Sequence, residues 1–201
     1  MEYTEGNTAL RQGERFTLDQ WRSWPKGERW ELIGGIAWAM SPAPQVEHQD
    51  YTGNLYHSLM LFLEGKPCHP FIAPIDIFLP NGVEDSEHTV VEPDVIVVCD
   101  PGKIQSEGIH GAPDFAAEVL SPSTSWKDWN EKKSLYECSG VGEYWIINPD
   151  SGSIFQYMLK DGRYGPVTEY LRGSCAKSVI LPGFVWQVPV LFYADKGNRK
   201  I

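Results

Sequence analysis

The 201-residue chain predicts an α/β fold, in which a mixed central sheet is flanked by helices and carries an N-terminal hairpin and a C-terminal β-meander. Three observations lead there. The runs VVEPDVIVVCD (90–100), DFAAEVL (114–120) and EYWIIN (143–148) are apolar, rich in β-branched or aromatic residues, and short enough for buried strands. A charged stretch from Trp126 to Cys138, closed by Gly140, has helical character and separates the last two runs. Between Val46 and Leu63, Tyr51, Leu55, Leu59 and Phe62 recur at helical spacing.

Taken in order, a polar N-terminal stretch leads to Thr17, which with Gln20 three residues on forms a capping box and opens a short helix ending before Pro25. ERWELIGGIAWAMSP then reads as two short strands around Gly34-Gly35, a pair that permits the positive φ of a tight hairpin turn. The helix over 46–63 is stopped by Gly65 and Pro67. FIAPIDIFL (71–79) follows as a strand in which Pro74 signals an edge or a bulge. Next come the strand over 90–100 and the strand DFAAEVL. Ser121, Ser123, Thr124 and Ser125 then offer caps for the helix beyond. After EYWIIN, the turns NPDSG and KDGR separate IFQYML, YGPVTEYL and KSVILPGFVWQVPVLF into a meander. With no repeat and no linker, residues 1–201 are expected to form one domain.

Composition narrows the function. At 42% hydrophobic the chain can build a core, and no apolar run approaches the ~20 residues of a membrane span, so a soluble, cytoplasmic protein is expected. Cys68, Cys99, Cys138 and Cys175 lack paired spacing, which predicts reduced, mostly buried thiols rather than a zinc site or a disulfide framework. A formal charge of -10 argues against nonspecific binding of a phosphate backbone by bulk charge.

The chemistry is concentrated in carboxylates that stand on apolar ground. Alternation along DFAAEVL puts Asp114, Ala116, Glu118 and Leu120 on one face and Phe115, Ala117 and Val119 on the other. A lone buried carboxylate costs several kcal/mol, roughly, so Glu118 must be exposed, paired, or facing a cation such as a metal. Asp94, 24 residues earlier at the mouth of the preceding strand, is a natural second ligand for a hard divalent ion. On these two residues alone, Asp94 capping a turn and Glu118 pairing with an internal arginine is an equal alternative. Asp128 and Lys132 lie four apart on one helical face, and Lys133 points about 100° away. Lys132 is therefore either aimed at the carboxylates or tied up in an ordinary ion pair with Asp128.

The ordered pieces EPDVIVV and GAPDFAAEVLSPSTSWKDWNEKKSLYECSGVGEYWIINP, with WELIGGIAWAMSPAPQVEH upstream, resemble the Uma-two family of restriction-endonuclease-like proteins, within the PD-(D/E)XK nuclease superfamily. The likeness covers about residues 30–150. It implies a restriction-endonuclease-like fold and a Mg²⁺- or Mn²⁺-dependent endonuclease, with DNA as the first-choice substrate. Asp94 and Glu118 would be the metal-binding acids, the Val119 carbonyl an added backbone ligand, and Lys132 the catalytic lysine. The superfamily's lysine usually lies two residues after the acid, where this chain has Leu120, so the resemblance implies a lysine moved to the following helix. Glu31 matches the family's early acid, as a distant metal ligand or a water-binding group. His48 also falls at a motif position, with phosphate binding, base assistance and a structural role equally open. Tyr136, Tyr144 and Trp145 match too, and are expected to be structural, the last two as core or dimer-contact aromatics.

Nucleic acid is thus the expected partner, no membrane is expected, and a homodimer would suit cleavage of both strands of a duplex. A phosphate backbone approaching two carboxylates also requires lysines and arginines around the cleft. The rivals are an inactive binding or interaction module on the same fold, and an enzyme acting on RNA or a nucleotide.

Overall fold

In the computed structural model, which describes residues 14–25, 29–40, 44–79, 89–121 and 125–188, the local signals near the N-terminus act as their chemistry requires. Thr17 Oγ1 accepts from the Gln20 N–H at 3.2 Å and Gln20 Oε1 accepts from the Thr17 N–H at 2.7 Å, opening α1 (Leu18–Arg22). Gly34 and Gly35, at φ of 56° and 80°, turn the chain between β1 (Trp30–Ile33) and β2 (Ile36–Ala39). α2 (Val46–Leu63) buries Tyr51, Leu55, Leu59 and Leu63 along one stripe.

Two runs that look continuous in sequence are each broken at a proline. FIAPIDIFL divides into β3 (His69–Ile72) and β4 (Ile77–Phe78), and VVEPDVIVVCD into β5 (Val90–Val91) and β6 (Val95–Val98). Pro74 and Pro93 have no N–H to offer a ladder, and near each the chain leaves one sheet for another. A 3-10 turn (Pro101–Lys103) leads to β7 (Ile104–Gln105) and β8 (Gly108–His110), a hairpin too short to show alternation. β9 (Phe115–Val119) is followed by α3 (Ser125–Lys127), a π-helical segment (Asp128–Lys132) and α4 (Lys133–Ser139), which Gly140 caps at φ 89°. β10 (Glu143–Asn148), β11 (Ser153–Lys160), β12 (Arg163–Tyr164), β13 (Thr168–Tyr170), β14 (Cys175–Lys177) and β15 (Val185–Gln187) complete the described chain. The expected caps Ser123 and Thr124, and the end of the last strand beyond residue 188, lie outside the described residues.

The main sheet runs β12-β11-β10-β9-β6-β3, with β9 and β10 parallel and the other pairs antiparallel. A second sheet runs β2-β1-β5-β4-β8-β7. The alternation along β9 sorts its side chains as predicted. Phe115, Ala117 and Val119 pack with α2, whereas Ala116 and Leu120 pack with Leu135 and Tyr136 of α4. Glu118 therefore faces the α3–α4 side.

Glu143, wholly buried at the start of β10, ties the C-terminal strands to the core. Its Oε1 accepts from Trp145 Nε1 and Gln156 Nε2, both at 2.6 Å, and its Oε2 from Ser178 Oγ at 2.7 Å and the Val179 and Ile180 N–H groups at 2.9 and 3.1 Å. Because glutamine would set an amide N–H₂ against some of these donors, Glu143→Gln should lower unfolding free energy by about 2 kcal/mol, read by urea denaturation. An unchanged midpoint would show that the network carries little.

Two expectations fail for the cysteines. Cys68 and Cys99 are disulfide-bonded, because the antiparallel register pairs His69 with Val98 and the next residues outward are the two cysteines. Cys138 and Cys175 are free but exposed rather than buried. Among the described residues, no helix is long and apolar enough to cross a membrane.

Candidate active site

Strand register assembles the two acids. Val95 of β6 pairs with Ala117 of β9, so Asp94, one step outward, stands opposite Glu118. The Val119 N–H donates to Asp94 Oδ2 at 2.8 Å, fixing the aspartate against β9. Both carboxylates open onto one cleft of about 560 Å³. A recess of similar size at the far end of α2, around Met60 and His69, contains neither.

Lys132 turns inward and Lys133 does not. Lys132 Nζ lies 2.7 Å from Glu118 Oε1, 2.9 Å from Glu31 Oε1 and 4.0 Å from Asp128 Oδ1. Lys133 instead carries its ammonium 5.1 Å from the centre of the Tyr157 ring. Both alternatives for Lys132 are thus met in part: it spans the acids, and Asp128 stands at the edge of its reach. No arginine pairs with Glu118 among the described residues.

Glu31 is fully buried in β1, where its Oε1 also accepts the Glu92 N–H at 2.9 Å and its Oε2 pairs with Lys127 at 2.5 Å. Lys127 has no place in the sequence prediction. Lys127 and Lys132 are five residues apart, which on an α-helix separates them by about 140°. The π-helical segment between them widens the turn to an i, i+5 repeat and brings both ammoniums to one carboxylate. Tyr136, expected to be structural, donates its hydroxyl to Glu118 Oε1 at 2.7 Å and so belongs to the cluster. Tyr144 and Trp145 are fully buried, which makes them core residues and removes the dimer-contact alternative.

His48, in the first turn of α2, has Nε2 3.2 Å from Asp94 Oδ2 and Nδ1 3.4 Å from Thr52 Oγ1. Burial disfavours its charged form, but Asp94, Asp128 and the Val119 carbonyl outweigh that and raise its pKa. The other described histidines, at 57, 69 and 110, stand apart from the cluster, and His88 lies outside the described residues.

Positive charge is shared unevenly. Burial alone would raise the Glu31 carboxyl, yet Lys132 and Lys127 together hold it at about 2. Burial raises Glu118 to about 8, with Lys132 pulling down and Asp128, Asp94 and Glu31 pushing the same way as burial. Lys132 itself is raised well above its ordinary value, since the acids overcome its own burial. Glu31 thus takes most of the compensation, and the Asp94–Glu118 edge is left short of it.

The cleft as a whole repeats that imbalance. It is lined by five carboxylates (Glu31, Glu92, Asp94, Glu118, Asp128) against three permanent cations (Arg29, Lys127, Lys132). All three cations are paired, Arg29 with Glu92. The expected gathering of lysines and arginines is therefore absent among the described residues, because the cations present are spent on internal acids. No set of three or more His, Cys, Asp and Glu side chains converges on a common point there. The donors at the under-compensated edge, two carboxylates and a backbone carbonyl, are nonetheless all hard oxygens. They suit Mg²⁺, which is commonly held by one or two carboxylates with water completing its shell.

With the geometry in place, comparison with known proteins identifies the family. No curated protein matches the chain. A solved structure described as a "putative nuclease belonging to DUF820 from Anabaena variabilis" superposes with a TM-score of 0.69 at 18% identity, covering 86% of this chain and 95% of that one. At that identity the likeness establishes the fold, a mixed α/β architecture of restriction-endonuclease type. Residues 17–189 match Uma2, described as "Putative restriction endonuclease", and the match spans most of the sequence. The chain belongs to the Uma2 family.

Proposed function

We propose that this chain, as a single restriction-endonuclease-like domain, hydrolyses phosphodiester bonds with the help of Mg²⁺ or Mn²⁺, DNA being the first-choice substrate. The observation that carries the proposal is the Asp94–Glu118 pair, set opposite one another on neighbouring strands in a cleft where acids outnumber the permanent cations among the described residues. Asp94, Glu118 and the Val119 carbonyl would hold the ion, which when bound lowers the pKa of a coordinated water and polarises the phosphate. Lys132 contacts Glu118 at 2.7 Å, where its ammonium would position the water nucleophile and offset charge developing on the phosphate. Glu31 anchors Lys132 and Lys127, Tyr136 fixes Glu118 from the α4 side, and His48 braces Asp94. A cytoplasmic location fits a nucleic-acid substrate, and a homodimer would place two such clefts on one duplex.

The test is conversion of supercoiled plasmid, and of labelled DNA and RNA oligonucleotides, with Mg²⁺, Mn²⁺ or EDTA. Cleavage by wild type that EDTA abolishes and Asp94→Asn lacks is the expected result. A second reading, an inactive nucleic-acid-binding or protein-interaction module, draws on the surplus of acids at the cleft. Calorimetry with Mn²⁺ separates the two. A competent site binds the ion and loses it in Asp94→Asn, and an inactive module shows no such difference.

A further inference from the structure

We propose that Trp38 and Trp126 form a stacking platform for an unpaired base at the rim of the cleft, so that the site takes single-stranded or locally opened nucleic acid in preference to closed duplex. The inference rests on the proposed nuclease function and adds the form of its substrate.

Two independent elements deliver the pair to the same edge. In the β1–β2 hairpin Trp38 is the direct cross-strand partner of Glu31, and directly opposed residues project from the same face of a sheet. Glu31 lines the cleft, and Trp38, on the same face of the hairpin, stands next to that lining rather than in it. Trp126 immediately precedes Lys127, whose ammonium pairs with that same Glu31. The two rings stack with centroids 6.4 Å apart and planes 28° from parallel.

Trp38 covers one side of Trp126, which is nevertheless 60% exposed. Among the described residues it is the one Phe, Trp or Tyr in the exposed class. Shielding the Glu31–Lys127 pair would require only a packed inner face. An indole held by a neighbouring ring, with its other face open beside a phosphodiester site, has the geometry of a base-stacking surface.

The charge balance leads to the same substrate. Duplex DNA carries a negative charge about every 1.7 Å, and proteins that track it neutralise many phosphates with free cations. Among the described residues this cleft has more carboxylates than permanent cations, and those cations are paired. Beyond the metal, affinity then calls for a contact that does not depend on charge. Stacking supplies one, and is open only to a base whose face is not already covered by its neighbours in a helix.

The experiment measures binding of a labelled single strand and of the same sequence as duplex, by fluorescence anisotropy in Ca²⁺, and cleavage of both in Mn²⁺. Wild type, Trp126→Ala and Trp126→Phe are compared, with melting temperature alongside. Wild type should favour the single strand, and Trp126→Ala should weaken that binding roughly tenfold while duplex binding stays within about twofold. Trp126→Phe should recover most of the loss. The platform is overturned if Trp126→Ala binds and cuts single strands as wild type does. It is equally overturned if both substrates weaken together with a fall in melting temperature, which marks a purely structural ring. Wild type that binds and cuts neither substrate would overturn the nuclease function itself, and the platform with it.

Discussion

Glu118→Gln is expected to lose at least about a thousandfold in metal-dependent cleavage while melting at the same temperature as wild type or higher. The glutamine oxygen can still accept the Lys132 and Tyr136 hydrogen bonds that converge on Oε1, so packing around β9 is retained. What disappears is the ability to ionise. Burial, with Asp128, Asp94 and Glu31 pushing the same way, already disfavours the charged Glu118 carboxyl, so a side chain that cannot ionise relieves the metal-free protein. The ionised form is half of the pair available to a divalent ion. Plasmid nicking in Mn²⁺ and thermal unfolding in EDTA read the two effects separately. Full cleavage activity in this variant would remove Glu118 from the chemistry, and a large drop in melting temperature would mean that the carboxylate serves the fold.

Glu31→Gln should do the reverse and cost about 3 kcal/mol of stability at neutral pH. The folded-state carboxyl titrates at about 2 against an ordinary 4.5, and each unit of difference is worth about 1.4 kcal/mol. Because the folded value is the lower one, this stabilisation is fully present above the ordinary value and is lost as pH falls from about 4.5 to about 2. The same interaction seen from the other side is Lys127, which the variant leaves buried without its carboxylate. Urea denaturation at pH 7 and at pH 3 should therefore show a wide gap between wild type and variant that narrows on acidification. A gap of equal size at both values would mean that lost packing, rather than the two lysines, accounts for the effect.

Much of this molecule is written locally. The capping box at Thr17, the Gly34-Gly35 turn, α2 from Val46 to Leu63 and the two faces of β9 follow from residue type and spacing, because each depends on neighbours within a few positions. The same logic singled out Glu118, whose charge conflicts with the strand around it, and then Lys132 as a cation able to answer that conflict. Family resemblance added Glu31 and His48, and the fold brings both against the same cluster.

Other features depend on partners that sequence spacing does not reveal. Pro74 and Pro93 each look like a blemish within one strand, and only the two-sheet arrangement turns them into crossings, the second of which delivers Asp94 to the mouth of β6. Cys68 and Cys99 meet through strand register. Lys127 was hidden by the assumption of 3.6 residues per turn, since its approach to Glu31 requires the wider π turn. The uneven sharing of two ammoniums among four acids belongs to the tertiary structure alone. Coulombic and desolvation effects depend on distances of a few ångströms between residues as far apart in sequence as Glu31 and Lys132, and composition carries no record of those distances.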